Sequence, residues 1–350
     1  MKIAVLISGG VDSSVALNLL KRDGHDLTAY YLKVWLEDEL SFLGDCPWEE
    51  DMKYVRAVCD QLNVPLQIVS LQAEYLDRVV SYALAELRMG RTPSPDIFCN
   101  QRIKFGAFFD HIDNTYEKVA TGHYAQIVFK NGLYHLKRAP DPVKDQTYFL
   151  SGMHQTQVAR ALFPIGHLMK KDVRHLALEF DLPTKTRKDS QGICFLGKIS
   201  YPDFIKFHLG EKEGPIIERE TGHTLGPHQG YWYYTIGQRQ GLGLSQGPWY
   251  VVGKNIDKNI IYVSHQTCRE DQARNTFTVA NPNWIAEPPT QSNLQLKLRH
   301  GPKLITCHID HLSSTQLHVT MQEPDSGVAP GQFAVFYDGE ICLGSGVIEN

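Results

Sequence analysis

Short apolar runs alternate with helix-spaced ones through the first half of the chain. Lys2–Ile7 predicts a buried strand. Asp12–Lys21 predicts a helix, entered through the turn Ser8-Gly9-Gly10 and stopped before Gly24. Leu27–Val34 is rich in strand formers, Met52, Val55, Val58, Cys59 and Leu62 share one helical face, and Leu66–Leu71 predicts a third strand. Further helices are expected over Ala73–Arg88 and Lys104–Ile112, with a strand over Lys118–Thr121. This alternation predicts an α/β, Rossmann-like, doubly wound parallel sheet with ligands at the carboxyl ends of its strands.

Past about residue 200 the helical spacing stops. Gly and Pro turn signals surround Tyr231-Trp232-Tyr233-Tyr234, an aromatic cluster expected to be core. From about 275 polar and apolar positions alternate in Leu294–Leu298, Leu304–Ile309, Leu317–Met321, Phe333–Tyr337 and Ile341–Val347, which predicts a small antiparallel β-barrel. The expected division is an α/β domain over 1–200, a small mostly-β central domain over 201–272 and a C-terminal barrel over 273–350.

Composition excludes several classes. The 350 residues are 42% hydrophobic and 21% charged, as in an ordinary globular protein. No apolar run approaches the roughly 18 residues of a membrane span, and Met1–Ile7 is too short for a signal-peptide core. Seven cysteines, odd in number and nowhere spaced Cys-x-x-Cys, argue against a disulfide scaffold, a zinc knuckle or a thioredoxin pair, and the cytoplasm is the expected compartment. Net charge is −4, yet residues 160–198 carry eight Lys/Arg against four Asp/Glu, so this stretch is +4 and the rest −8. A local basic face on an acidic chain suits an anionic partner that docks specifically.

The sharpest chemical signal is Ser8-Gly9-Gly10-Val11-Asp12-Ser13-Ser14 between strand and helix. Two glycines let the backbone approach a ligand, and helix-start amides and serine hydroxyls can cradle a diphosphate. Asp12 stands where it could hold a Mg²⁺ bridging those phosphates. The loop lacks the Gly-Lys-Ser/Thr ending of a Walker A motif and the Gly-x-Gly-x-x-Gly of a dinucleotide site. A plain turn capped by Ser and Asp is the competing reading. The run resembles the PP-loop of the ATP pyrophosphatase superfamily, whose members adenylate a substrate oxygen and release pyrophosphate.

Two cysteines stand apart. Cys99 follows Ser94-Pro95-Asp96, with Asn100 as a candidate helix cap that would set the thiol against a positive helix end and favour the thiolate. Asp96 is placed to exchange a proton nearby. Cys194 lies among turn residues between Lys188 and Lys198, an electropositive setting for a reactive sulfur. Cys46, Cys59, Cys268, Cys307 and Cys342 are expected to be inert.

With Arg91–Gly106, Ala120–Tyr124, Lys144–Leu150, Asp189–Gly197, Thr235–Gly243 and Pro330–Tyr337 in order along the chain, the sequence resembles the tRNA-specific 2-thiouridylase family. The resemblance implies that Leu6, Ile7, Ser8, Gly9, Gly10, Val11, Asp12, Ser13, Leu32 and Gly122 bind ATP. It implies Cys99 as nucleophile, Cys194 as carrier of a persulfide sulfur, and a transient Cys99–Cys194 disulfide. Ser94, Pro95 and Asp96 would contact the target base, and Lys144, Asp145, Gln146, Arg299 and His300 the tRNA. Where the family has Asn-Pro-Asp, Met and Arg-Tyr, this chain has Ser94-Pro95-Asp96, Leu32 and Arg299-His300. The implied reaction is ATP-dependent 2-thiolation of the wobble uridine of tRNA by a monomer, with Mg²⁺, an external persulfide donor, and a central domain and barrel that grip the tRNA. Two other classes compete. One is another PP-loop adenylating enzyme, a lysidine-type tRNA ligase or amide-forming synthetase. The other is a non-catalytic nucleotide-binding protein.

Overall fold

The computed structural model describes residues 1–34, 48–189, 200–268, 271 and 273–349. The expected parallel sheet is present, with Leu66–Ser70, Asp26–Lys33, Lys2–Leu6, Lys118–Ala120 and Ala161–Leu162 in spatial order. Its middle strand explains why it is wound on both faces. Ile3 and Val5 join Leu17, Leu20 and Val55 in one core, while Ala4 and Leu6 join Tyr75, Val79, Phe105 and Phe108 in another. Alternate residues of one strand thus serve two layers of helices.

The predicted helix over Lys104–Ile112 lies elsewhere. Pro95 occupies its first turn, where a missing N–H costs nothing, so the helical run starts there and continues as Pro95–Phe98 and a π-helical Cys99–Lys104. Gly106 follows, where a Cβ would meet the Arg102 carbonyl oxygen at 2.4 Å, and only a short 3₁₀ turn, Ala107–His111, remains. Asn100 is therefore no helix cap. It sits inside the run, and its Nδ2 donates to the carbonyls of Asp96 and Phe149.

The central region forms a four-stranded sheet, Trp249–Asn255, Ile260–His265, Gly214–Glu218 and Thr224–His228, around a core that includes Tyr231 and Tyr234. Six antiparallel strands beyond it close into the expected barrel, because Arg274–Trp284 pairs with both Gln316–Asp325 and Ile341–Ile348. One element was not foreseen. Ala125–Lys130 and Leu133–Arg138 form a hairpin turned by Asn131-Gly132, both at positive φ. Its second strand pairs Lys137 and Leu136 with Ile341 and Cys342, so the α/β region lends two strands to the barrel's sheet.

That seam is held by a buried charge. Asp145 has no exposed surface, and Lys297, from the barrel, has about 1%. Lys297 Nζ and Arg138 Nε each donate to Asp145 Oδ2 at 2.9 Å, and Thr147 Oγ1 donates to Oδ1 at 2.8 Å. Burial alone would raise the Asp145 pKa, but Lys297, Arg138 and Thr147 outweigh it and hold the carboxyl below its ordinary range.

Removing one partner of such a pair leaves a buried charge uncompensated. Lys297→Met is expected to lower unfolding free energy by about 3 kcal/mol, measured by chemical denaturation. Since the folded pKa of Asp145 is depressed, its contribution is whole above the unfolded value of roughly 4 and fades as pH falls through the folded one. The gap between wild type and variant should therefore narrow below about pH 4.

Candidate active site

The loop after Lys2–Leu6 opens at the carboxyl edge of the sheet. Gly9 takes φ +75°, and Gly10 precedes helix Val11–Arg22 with no side chain capping it. The reading of a turn capped by Ser and Asp is thereby excluded. Ser14 Oγ donates to the Gly10 carbonyl at 2.8 Å instead, and Ser13 Oγ accepts from Ser8 N–H at 3.3 Å. An uncapped helix start with this turn is suited to an anion. Gly122, just past Lys118–Ala120, presses against it: a Cβ there would stand 2.6 Å from the Ser13 nitrogen. Leu32 is half-buried near the same edge, at the end of Asp26–Lys33.

Cations surround this loop. Lys170 Nζ donates to both Asp12 oxygens, at 2.7 and 2.8 Å, and lies 2.9 Å from Asp189 Oδ1. Tyr124 OH also donates to Asp12, at 2.8 Å. Lys144 Nζ meets Asp189 Oδ2 at 2.7 Å, and Arg174 pairs with Asp189 as well. Arg187 donates to the Gly9 carbonyl at 2.7 Å and pairs with Asp51. Burial would raise the Asp189 pKa, but hydrogen bonds from Lys144 and Lys170 drive it far below the ordinary carboxylate value.

One expectation changes here. Among the described residues of the positive stretch 160–198, four cations are not free: Lys170, Arg174 and Arg187 turn inward onto Asp12, Asp189 and Asp51, and Lys185 pairs with Asp181. Asp12, the expected Mg²⁺ ligand, stands in this ion-pair set. Its counterion is the Lys170 ammonium, and no three His, Cys, Asp or Glu side chains converge on a metal-sized site among the described residues.

A second feature lies at the start of the Pro95 helix. A cleft of about 280 Å³ has Ser94, Pro95 and Asp96 on one wall and Phe149, Arg299 and His300 on another. His300 stacks on Phe149, with centroids 4.8 Å apart and planes 24° apart, and its Nε2 lies 3.2 Å from the Asp145 carbonyl. Arg299 is fixed by a two-point pair with Asp325, at 2.7 and 3.2 Å. Burial raises the Asp96 pKa, moderated by Lys104, and so favours the protonated acid. Burial, with Lys104, depresses His123 well below its ordinary value, and its Nδ1 pairs with Thr121 Oγ1 at 2.7 Å. Cys99 follows Asp96 by three residues on this helical run, with its side chain buried.

Three family models match the chain in order. They are the tRNA methyl transferase HUP domain over residues 1–198, the tRNA methyl transferase PRC-barrel domain over 202–265, and the aminomethyltransferase β-barrel domain over 274–348. Proteins named tRNA-specific 2-thiouridylase MnmA from Parabacteroides distasonis and Porphyromonas gingivalis are 46% and 44% identical to it, each alignment covering 99% of both chains. The chain belongs to the tRNA-specific 2-thiouridylase family. Among solved structures, a 4-thiouridine synthetase–RNA complex with bound ATP is 16% identical at a TM-score of 0.34, over 55% of this chain and 44% of that one.

The residues that the 2-thiouridylase resemblance assigned to the target base and to the barrel's tRNA contact share one cleft. Lys144-Asp145-Gln146 does not join them there. Asp145 is buried in the ion cluster with no surface to offer an RNA, Gln146 Oε1 accepts from Tyr124 N–H at 2.9 Å, and Lys144 is paired with Asp189. Cys194 and Cys46 lie outside the described residues, and with Cys194 the expected disulfide. Sequence reasoning missed Lys170, Phe149 and Lys297. A lone lysine or phenylalanine carries no local pattern that marks its partner.

Gly122→Ala tests the nucleotide loop. The added methyl must push on the backbone of Ser13, so ATP affinity should fall roughly tenfold, about 1.4 kcal/mol, by calorimetry. Unchanged affinity would mean that nucleotide does not bind against this turn.

Proposed function

We propose that this chain transfers sulfur to C2 of the wobble uridine of tRNA at the expense of ATP. The observation that carries the reading is the position of Cys99, on the helical run whose start walls a base-sized cleft. Support also comes from the uncapped PP-loop and from the family itself.

The uracil O2 is a poor leaving group. Its attack on the α-phosphate of ATP releases pyrophosphate and makes it part of AMP. Amides of residues 8–13 hold the triphosphate, and Lys170, Arg174 and Arg187 bring positive charge beside that loop. The terminal sulfur of a Cys194 persulfide then attacks C2, AMP departs with the C–O electron pair, and the uridine is joined to Cys194 through a disulfide. Cys99 thiolate attacks the Cys194 sulfur of that bond, freeing 2-thiouridine and leaving Cys99–Cys194 oxidised. In the variant route Cys99 first displaces hydrosulfide, which attacks C2. Either route ends in the same disulfide, so an external dithiol and a persulfide donor must restore the enzyme. Asp96, on the cleft wall and with its pKa raised by burial, can exchange a proton with the base. No step is assigned to a metal at Asp12. Cytoplasmic location and a monomeric state belong to the same proposal. Among the described residues no helix is long and apolar enough to cross a membrane.

The test supplies ATP, Mg²⁺, a persulfide donor and tRNA with an unmodified wobble uridine to wild type, Cys99→Ser and Cys194→Ser. Sulfur should enter the tRNA only with wild type, while both variants still release pyrophosphate. Pyrophosphate release without sulfur in all three would make this another adenylating enzyme, ligase or synthetase. No tRNA-dependent pyrophosphate release would leave a nucleotide-binding protein.

A further inference from the structure

The segment Thr235–Gly243 matches the family and yet has no part in the chemistry above. Thr235 lies on the rim of the base cleft and shares a hydrogen bond with Thr92 at 3.2 Å between hydroxyls. Just beyond it the chain is pinned. Gly237 N–H donates to the Val251 carbonyl at 2.8 Å, and Val251 N–H donates to the Gln238 carbonyl at 3.0 Å. Residues 239–250 therefore leave and return at one point as a closed loop.

The loop folds around a hollow of about 240 Å³. Leu242 anchors it in the central core, and Trp249 Nε1 donates to the Ser245 carbonyl at 2.9 Å, which fixes the indole in the lining. Gly241 and Gly243 both take positive φ, which keeps the walls backbone-thin. Arg239 stands on the rim, exposed, and has no hydrogen-bond or ion-pair partner among the described residues. It contrasts with the paired cations around the PP-loop.

We propose that this loop is an RNA subsite: Arg239 takes a backbone phosphate, and Trp249 lies against a neighbouring nucleotide of the strand that leaves the base cleft. A fixed aromatic edge beside an unpaired guanidinium suits one nucleotide of single-stranded RNA. Continuity with the cleft through Thr235 makes the occupant the same tRNA whose base enters that cleft. The inference rests on the tRNA reading above and names where the strand next to the target base is held.

Binding of unmodified tRNA to the full chain is measured as a function of salt, for wild type, Arg239→Gln, Arg239→Lys and a control, Arg219→Gln. Arg219 is an exposed arginine of the same domain, over the Tyr262 ring and outside the hollow. Loss of one phosphate contact should weaken binding roughly three- to tenfold and reduce the slope of log K against log salt by about one. Arg239→Lys should keep the slope, and Arg219→Gln should match wild type. An unchanged affinity and slope for Arg239→Gln would overturn the subsite, as would an equal loss with Arg219→Gln. Failure of wild type itself to bind tRNA would instead strike the underlying functional reading. Since Arg239 makes no described contact, its variants should keep the wild-type thermal midpoint, which a melting curve checks.

Discussion

A carboxylate with no exposed surface holds the two halves of the cleft together. Asp145 belongs to the α/β region, Lys297 to the barrel, and Arg138 to the hairpin that pairs with the barrel's last strand. A buried carboxylate is tolerable only when its oxygens are satisfied, and these receive Lys297, Arg138 and Thr147. The barrel can therefore seat in one place. From that seat, two and three residues past Lys297, Arg299 and His300 face the wall formed by Ser94, Pro95 and Asp96. His300 also touches the Asp145 carbonyl. The ion cluster thus sets the distance between walls that belong to different domains.

The nucleotide end is organised on the opposite principle. Its charges are shared rather than sealed: Lys170 serves both Asp12 and Asp189, and Asp189 serves Lys144, Lys170 and Arg174. Such a set can exchange partners when a polyanion arrives, because the cations need only turn from carboxylate to phosphate. Asp189 is also the last described residue before the segment carrying Cys194.

The sequence was most informative where a local pattern has one physical meaning. Alternating strands and helices implied the parallel sheet, and polar–apolar alternation implied the barrel. The Ser-Gly-Gly turn implied an anion site. It misled where local signals compete. The helix expected over Lys104–Ile112 starts instead at Pro95, and Asn100 lies within that helical run rather than capping it. Asp145 sits in a polar tripeptide that reads as surface and is the most buried charge of the seam. The lysines and arginines of 160–198 read as an outward face, but several point inward to partners far along the chain. Long-range pairing of single charges leaves no periodicity to read. The hairpin 125–138 was missed because it is short and shares its sheet with strands two hundred residues away.

The most direct test of the seam as the organiser of the cleft is a pair of Michaelis constants for Lys297→Met, taken at a temperature where the variant stays folded. Lys297 touches Asp145 and no residue of the PP-loop, so the constant for ATP should change less than about twofold, while that for tRNA rises about tenfold as Arg299 and His300 lose their fixed distance from Asp96. A variant that is less stable yet keeps the wild-type constant for tRNA would contradict the account and reduce the buried pair to a structural fastening.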